Sequence, residues 1–147
     1  MEPRLDFYKA SPEAIKVMLA FSAGTEKLGL EHSLLELVKL RASQINGCAF
    51  CVDMHAADAR KGGETERRLH ALCAWRETPF FTPRERAALA WTEAITAIAG
   101  SGAPDDVHAD LSAQFSEKER MDLTLAIAMI NSWNRLAIAF RKMPEPA

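Results

Sequence analysis

The chain has 147 residues, room for one domain with a real core, and its 48% hydrophobic and 26% charged composition excludes a disordered polymer. Its formal net charge of −2 excludes the strong positive excess on which phosphate-backbone binding depends, so no nucleic-acid partner is expected. Three cysteines leave one unpaired, which speaks against a secreted disulfide framework.

The start, Met1-Glu2-Pro3-Arg4-Leu5-Asp6, is charged and mixed, and the apolar patch at residues 15–21 contains Lys16, so no secretory signal is read there. A cytoplasmic location is expected. In that compartment a close cysteine pair is more often catalytic, redox-active or metal-binding than a permanent staple.

Ser11-Pro12-Glu13 opens the first helix: Ser caps, Pro is tolerated at the first position, and Glu suits the positive end. It runs to about residue 24. A second follows Ser33, with Leu34, Leu37, Val38 and Ile45 at helical spacing, and stops at Asn46-Gly47, residue types that readily turn left-handed. A third starts near Cys48 and ends at Gly62-Gly63. A fourth covers residues 65 to about 75. Thr82-Pro83-Arg84-Glu85 is a capping box that starts a fifth, running to about residue 100. Pro104-Asp105-Asp106 opens a short sixth. Ser116-Glu117-Lys118-Glu119 is a second capping box, and the seventh helix continues to about residue 142.

No segment alternates β-branched residues between hairpin signals, so no sheet is predicted. The expectation is an all-α bundle of about six to seven helices, one domain over residues 1–147, with residues 77–81 a connection inside it. Between residues 123 and 130 only Thr124 is polar. That stretch is too short to span a bilayer and runs into Asn131, Ser132, Asn134 and Arg135, so no membrane partner is expected. Apolar nearly all round, it is expected to be buried on several sides, partly against another subunit.

The chemistry concentrates in Cys48-Ala49-Phe50-Cys51-Val52-Asp53-Met54-His55, with Glu36 one helix upstream. Cys48 and Cys51 are three apart, and Cys51 and His55 four apart, so all share one helix face. Thiols so spaced at a helix start form a disulfide with little movement, and the free N–H groups there favour thiolate. If the second and third helices fold back about Asn46-Gly47, facing residues have numbers summing to about 93. Glu36 then falls within a turn of His55. A carboxylate so placed orients the imidazole, which takes a proton from a thiol or returns one to a leaving oxygen. The helix start favours Cys48 as the nucleophile, and proximity to His55 favours Cys51.

Two bland readings stand beside this: buried thiols packing as small hydrophobes, and a zinc site of Cys48, Cys51, His55 and Glu36. A c-type haem needs His directly after Cys51, where Val52 stands. Arg41 faces about Val52 in the same register and is expected in a surface ion pair. Cys73, among Leu69, Leu72 and Trp75, is expected to pack in the core, as are Met18, Met54, Met121 and Met129. His32, His70 and His108 are expected at the surface or satisfied.

The pattern Glu36-x11-Cys48-x2-Cys51-x3-His55 resembles the alkylhydroperoxidase AhpD-like family, within the carboxymuconolactone decarboxylase superfamily. Leu40-Arg41-Ala42-Ser43-Gln44-Ile45-Asn46-Gly47 and Asn131-Ser132-Trp133-Asn134-Arg135 also look like that family. The resemblance implies an all-helical subunit assembling into trimers or hexamers. It implies reduction of a hydroperoxide by the cysteine pair, with no bound cofactor or metal, and regeneration by an external dithiol, lipoyl-type or on a lipoylated protein. Cys51 matches the attacking thiol, Cys48 the resolving one, and Glu36 with His55 the proton relay. Trp133 and Arg135 line the site by resemblance, although core packing and an interface salt bridge explain them equally well. Well-characterised members carry a second His just before the second cysteine, where this chain has Phe50, a change that suits a bulkier, apolar hydroperoxide. Decarboxylase members generally lack the cysteine pair, so its presence speaks against decarboxylation. The alternative from another class is a non-enzymatic oligomeric module that senses redox state or holds zinc.

Overall fold

The computed structural model describes residues 1–146, and the expected single domain over 1–147 extends one residue past them. Among the described residues there are nine α-helices, one 3-10 segment and no strand. The elements are α1 (Phe7–Ala10), α2 (Pro12–Glu26), α3 (His32–Asn46), α4 (Ala49–Lys61), α5 (Glu66–Ala71), the 3-10 segment Leu72–Glu77, α6 (Pro83–Thr96), α7 (Ile98–Ser101), α8 (Asp105–Gln114) and α9 (Glu117–Phe140).

Three caps are those the sequence signals, whereas α3 starts at His32, ahead of the expected Ser33, with Glu31 at its N-cap and no side-chain cap bond. Ser11 accepts the Ala14 N–H ahead of Pro12, and Thr82/Glu85 and Ser116/Glu119 both close full capping boxes. The excess over six to seven helices comes from short pieces. Asp6 accepts the N–H groups of Tyr8 and Lys9 and starts the unpredicted α1. The fifth helix breaks at Ala97, where Ser101 Oγ donates to Ala94 O at 2.6 Å and α7 restarts the chain. The fourth ends at Ala71 and tightens into the 3-10 segment, interrupted at Ala74. α2 continues to Glu26, and α9 ends at Phe140 with Arg141 left-handed.

α3 runs through the middle, packed by α4, α6 and α9, and every residue from 34 to 40 is buried. One side joins Leu34, Leu35 and Val38 to Ala88, Trp91, Leu111, Leu123 and Ile127. The other joins Leu37 and Leu40 to Leu72, Trp75, Phe81 and Leu89. Each fully buried Leu contributes about 1.5–3 kcal/mol relative to an exposed one.

α9 is long and apolar enough to cross a membrane by length and composition, a property of the whole helix that the 123–130 stretch alone does not show and that a core helix shares. Here it packs against α2, α3, α4, α6 and α8. Its Leu123, Ala126, Ile127 and Ile130 are buried while Met121 and Ile138 are exposed. α2 lies on α9, and its Val17 and Leu19 are exposed.

Candidate active site

Gly47 ends α3 in the left-handed conformation, φ 71°, and reverses the chain into α4. This lays α4 back along α3, as the predicted hairpin requires. Asn46 fixes the turn to the last helix: its amide donates to Asn131 Oδ1 at 3.0 Å and Asn134 Oδ1 at 2.8 Å. Asn134, fully buried, donates in turn to Ser43 Oγ at 3.0 Å. The late Asn131–Asn134 pair therefore clamps the reactive turn.

Cys48 is the N-cap of α4, its sulfur accepting the Cys51 N–H, and the sulfurs of Cys48 and Cys51 are bonded to each other. Both residues are buried against Ala137 of α9, with Phe50 beside them. One turn on, His55 is buried and its Nδ1 lies 3.1 Å from Glu36 Oε2. The structure thus brings Glu36, His55, Cys51 and Cys48 to one place. The zinc reading meets a conflict here: the two sulfurs are joined, and Glu36 is engaged through both oxygens, so ligation by all four residues belongs only to a rearranged, reduced form.

The second partner of Glu36 is Lys39, absent from the sequence-based expectation. Its Nζ lies 2.5 Å from Glu36 Oε1 and 2.6 Å from Glu26 Oε1 of α2. Burial alone pushes the Glu36 carboxyl up, but hydrogen bonds from His55 and Lys39 outweigh it and hold the group below its ordinary value. Burial likewise disfavours the Lys39 ammonium, and the bonds to Glu26 and Glu36 outweigh that, holding it above an ordinary lysine. A Glu and a Lys three apart inside an apolar helical run were the available signal.

Cys51, His55 and Lys39 share one cavity of about 250 Å³, otherwise walled largely by Phe7, Tyr8, Leu19, Phe50, Met54, Met129, Ile130 and Trp133. Phe7 and Tyr8 reach it because Arg4 is tied to the end of α9, its main-chain N–H donating to Phe140 O at 3.0 Å and its side chain to Ala139 O at 3.1 Å. Trp133 Nε1 donates to Ser22 Oγ at 2.7 Å, which orients the indole over the cavity. Cys48 instead lines a larger groove of about 1050 Å³ between the two ends of the chain.

Other expected residues fall elsewhere. Arg41 turns from the thiols to Glu93, 2.8 Å away, in a partly buried cluster with Trp75 and Arg76 rather than a surface pair. Arg135 bonds Asn131 within α9 and does not line the cavity. Cys73 is exposed, carried outward by the 3-10 turn that replaces the predicted helix. Of the methionines expected in the core, Met129 is buried, Met54 stands at the cavity 39% exposed, and Met121 is 62% exposed. His32 and His70 lie at the surface beside Glu26 and Glu66, and His108 packs on the Trp91 ring.

Residues 12–94 match the model of the carboxymuconolactone decarboxylase family. The uncharacterized protein YdfG of Bacillus subtilis is 44% identical over 139 residues, 95% of each chain. The alkyl hydroperoxide reductase AhpD of Hyphomonas neptunium is 34% identical over 64 residues, 44% of this chain and 33% of that one. A crystal structure from Agrobacterium tumefaciens, of a protein of unknown function provisionally assigned to the AhpD antioxidant defence proteins, superposes with a TM-score of 0.96. It is 47% identical, over 99% of this chain and 100% of that one. The debrominase Bmp8, 18% identical, shares the fold with a TM-score of 0.85 over 93% of this chain and 74% of its own. Family match, full-length relatives and superposition agree: the chain belongs to the AhpD-like group of the carboxymuconolactone decarboxylase superfamily.

Proposed function

We propose that the protein is a thiol-dependent hydroperoxide reductase, a reading carried by the bonded Cys48–Cys51 pair beside the buried Glu36–His55 couple. Reduced Cys51, next to His55 in the cavity, is the attacking thiol. Its proton passes to His55, whose Nδ1 is held by Glu36 so that Nε2 is the base. The thiolate attacks the terminal peroxide oxygen, the O–O bond breaks, and His55 returns the proton to the departing alkoxide, giving an alcohol and a Cys51 sulfenic acid. The Cys48 thiol condenses with it, releasing water and forming the disulfide. An external dithiol, lipoyl-type or on a lipoylated protein, then exchanges with the disulfide and leaves oxidised itself.

The cavity supports an organic peroxide over hydrogen peroxide, since Leu19, Phe50, Met54 and Trp133 offer apolar contact beside Cys51. The cycle uses no metal or bound cofactor. It belongs in a reducing compartment such as the cytoplasm, which supplies the dithiol. Assembly into trimers or hexamers is part of the same reading, supported by the exposed apolar side chains of α2 and α9.

The test mixes fully reduced protein with cumene hydroperoxide and dihydrolipoamide and follows peroxide loss alongside intact mass. Catalytic loss is expected, with a disulfide mapped to Cys48 and Cys51 after peroxide alone. Cys51→Ser should abolish turnover, and Cys48→Ser should leave a single oxidation that cannot close to the internal disulfide. Near-normal turnover in Cys51→Ser would overturn the assignment. A disulfide that forms but never turns over would instead favour a redox-sensing module.

A further inference from the structure

Two of the buried residues at the centre of α3 are charged, which a helix interior does not tolerate without partners. Glu36 is 4% exposed and Lys39 is 6% exposed. Glu36 divides its oxygens between His55 Nδ1 and Lys39 Nζ, and Lys39 Nζ bridges on to Glu26, whose side chain is 37% exposed. The result is an unbroken line from the protein surface to the imidazole: Glu26, Lys39, Glu36, His55.

The other groups facing this line are few. On α3, His32 has Nδ1 3.5 Å from Glu26 Oε2 and Nε2 4.0 Å from Glu36 Oε1, and its side chain is mostly exposed. On α4, Asp58 approaches both Glu36 and His55. From α9 the cavity receives only Met129, Ile130, Trp133 and Ala137, all uncharged. Among the described residues Lys39 is therefore the one cation on the cavity wall shared with Cys51 and His55, and Lys142 stands outside that wall, its Nζ 5.3 Å from the Phe50 ring centre.

Charge counting shows why this matters. With Cys51 ionised, the buried site holds two anions, the thiolate and Glu36. Its cations are protonated His55 and Lys39. With Lys39 the set is neutral. Without it, the same thiolate leaves a net negative charge among buried side chains, where Coulomb terms are less screened than at the surface. Glu26 is open to solvent, so its own charge is screened, and its geometric role is to tether the ammonium.

We propose that Lys39 is a positioning residue for the thiol chemistry: tethered by Glu26, it keeps Glu36 ionised against His55 and supplies the charge that lets Cys51 form its thiolate at neutral pH. This rests on Cys51 as the attacking thiol of the proposed function. It makes the Glu36–His55 couple one part of a longer device, with Lys39 acting through Glu36 rather than on substrate.

The experiment is the pH dependence of Cys51 alkylation by iodoacetamide in the fully reduced protein, mapped by peptide mass. It reads thiolate formation without peroxide or reductant, so its result is separable from the presence of peroxidase turnover. The wild-type midpoint is expected below that of an ordinary thiol, about 8.5. Lys39→Met should move it up by about one unit or more, lowering the rate about tenfold at pH values below both midpoints. Lys39→Arg, which keeps the charge, should stay near the wild type, and Glu26→Gln should change the rate less than threefold, a bound of about 0.7 kcal/mol at RT near 0.59 kcal/mol. A purely structural ion pair would cost stability in Lys39→Met and leave the midpoint unmoved, and that result overturns the proposal. So does an equal shift in Lys39→Arg. If Lys39→Met does not fold, Lys39→Gln carries the same expectation, because its amide still donates to Glu36 and lacks the charge. A wild-type midpoint at or above the ordinary thiol value overturns the proposal whatever the variants do.

Discussion

Buried polar side chains do most of the specifying at the residue scale. Asn134 accepts from Asn46 and donates to Ser43, so replacing it by Ala removes two hydrogen bonds, although Asn46 still donates to Asn131 and Ser43 to the Lys39 carbonyl. Each lost hydrogen bond costs about 0.5–1.5 kcal/mol. Asn134→Ala is therefore expected to lower the unfolding free energy by about 1–3 kcal/mol, read as a fall in the urea midpoint. Glu36 adds a pH dependence whose sign follows from its depressed carboxyl. The folded state binds this proton less readily than the unfolded chain. Its stabilisation is then full above the ordinary carboxylate value of about 4.3 and is lost as pH falls through the folded value. Urea midpoints measured from neutral to acid pH should fall less steeply below that range in Glu36→Gln than in the wild type. An unchanged acid slope would show that Glu36 is not among the linked groups.

The α3–α4 hairpin and the start of α9 carry the consequences at the scale of elements. Gly47 at φ 71° meets no neighbouring atom that a Cβ would strike, so Gly47→Ala carries only the left-handed penalty, about 1–2 kcal/mol. A much larger loss in the urea midpoint would mean that the turn itself, with the disulfide after it, had moved. At α9 the Glu119 carboxyl is lowered to about 2, first by the Ser116 N–H it accepts and then by Arg84. Ser116→Ala is expected to cost about 1 kcal/mol, measured the same way. Both caps were legible because Ser-x-x-Glu and Asn-Gly act within one turn of chain. The break at Ala97 was not, because it depends on Ser101 reaching Ala94 and Asn131 reaching Thr96. The Cys73 exposure was missed for a like reason: helical periodicity places it inward, and the 3-10 turn rotates it out.

Considered whole, the molecule leaves apolar side chains on its outside. Val17 is 69% exposed and Leu19 54% exposed on α2, with Met121 and Ile138 exposed on α9. Val17→Asp is expected to shift sedimentation equilibrium toward monomer if α2 carries the proposed assembly, and an unchanged mass would remove Val17 from it. Local spacing in the sequence determined the all-helical class, most helix starts, and the bringing together of Glu36, His55, Cys51 and Cys48, since one tight turn between two helices suffices to bring them together. Only the tertiary structure decided that Lys39 is buried between two carboxylates, that Asn46 is held by Asn131 and Asn134, and that Phe7 and Trp133 wall the cavity beside Cys51. Those contacts join helices distant in the chain. The burial of a charge depends on every neighbour packed around it, which no local pattern encodes.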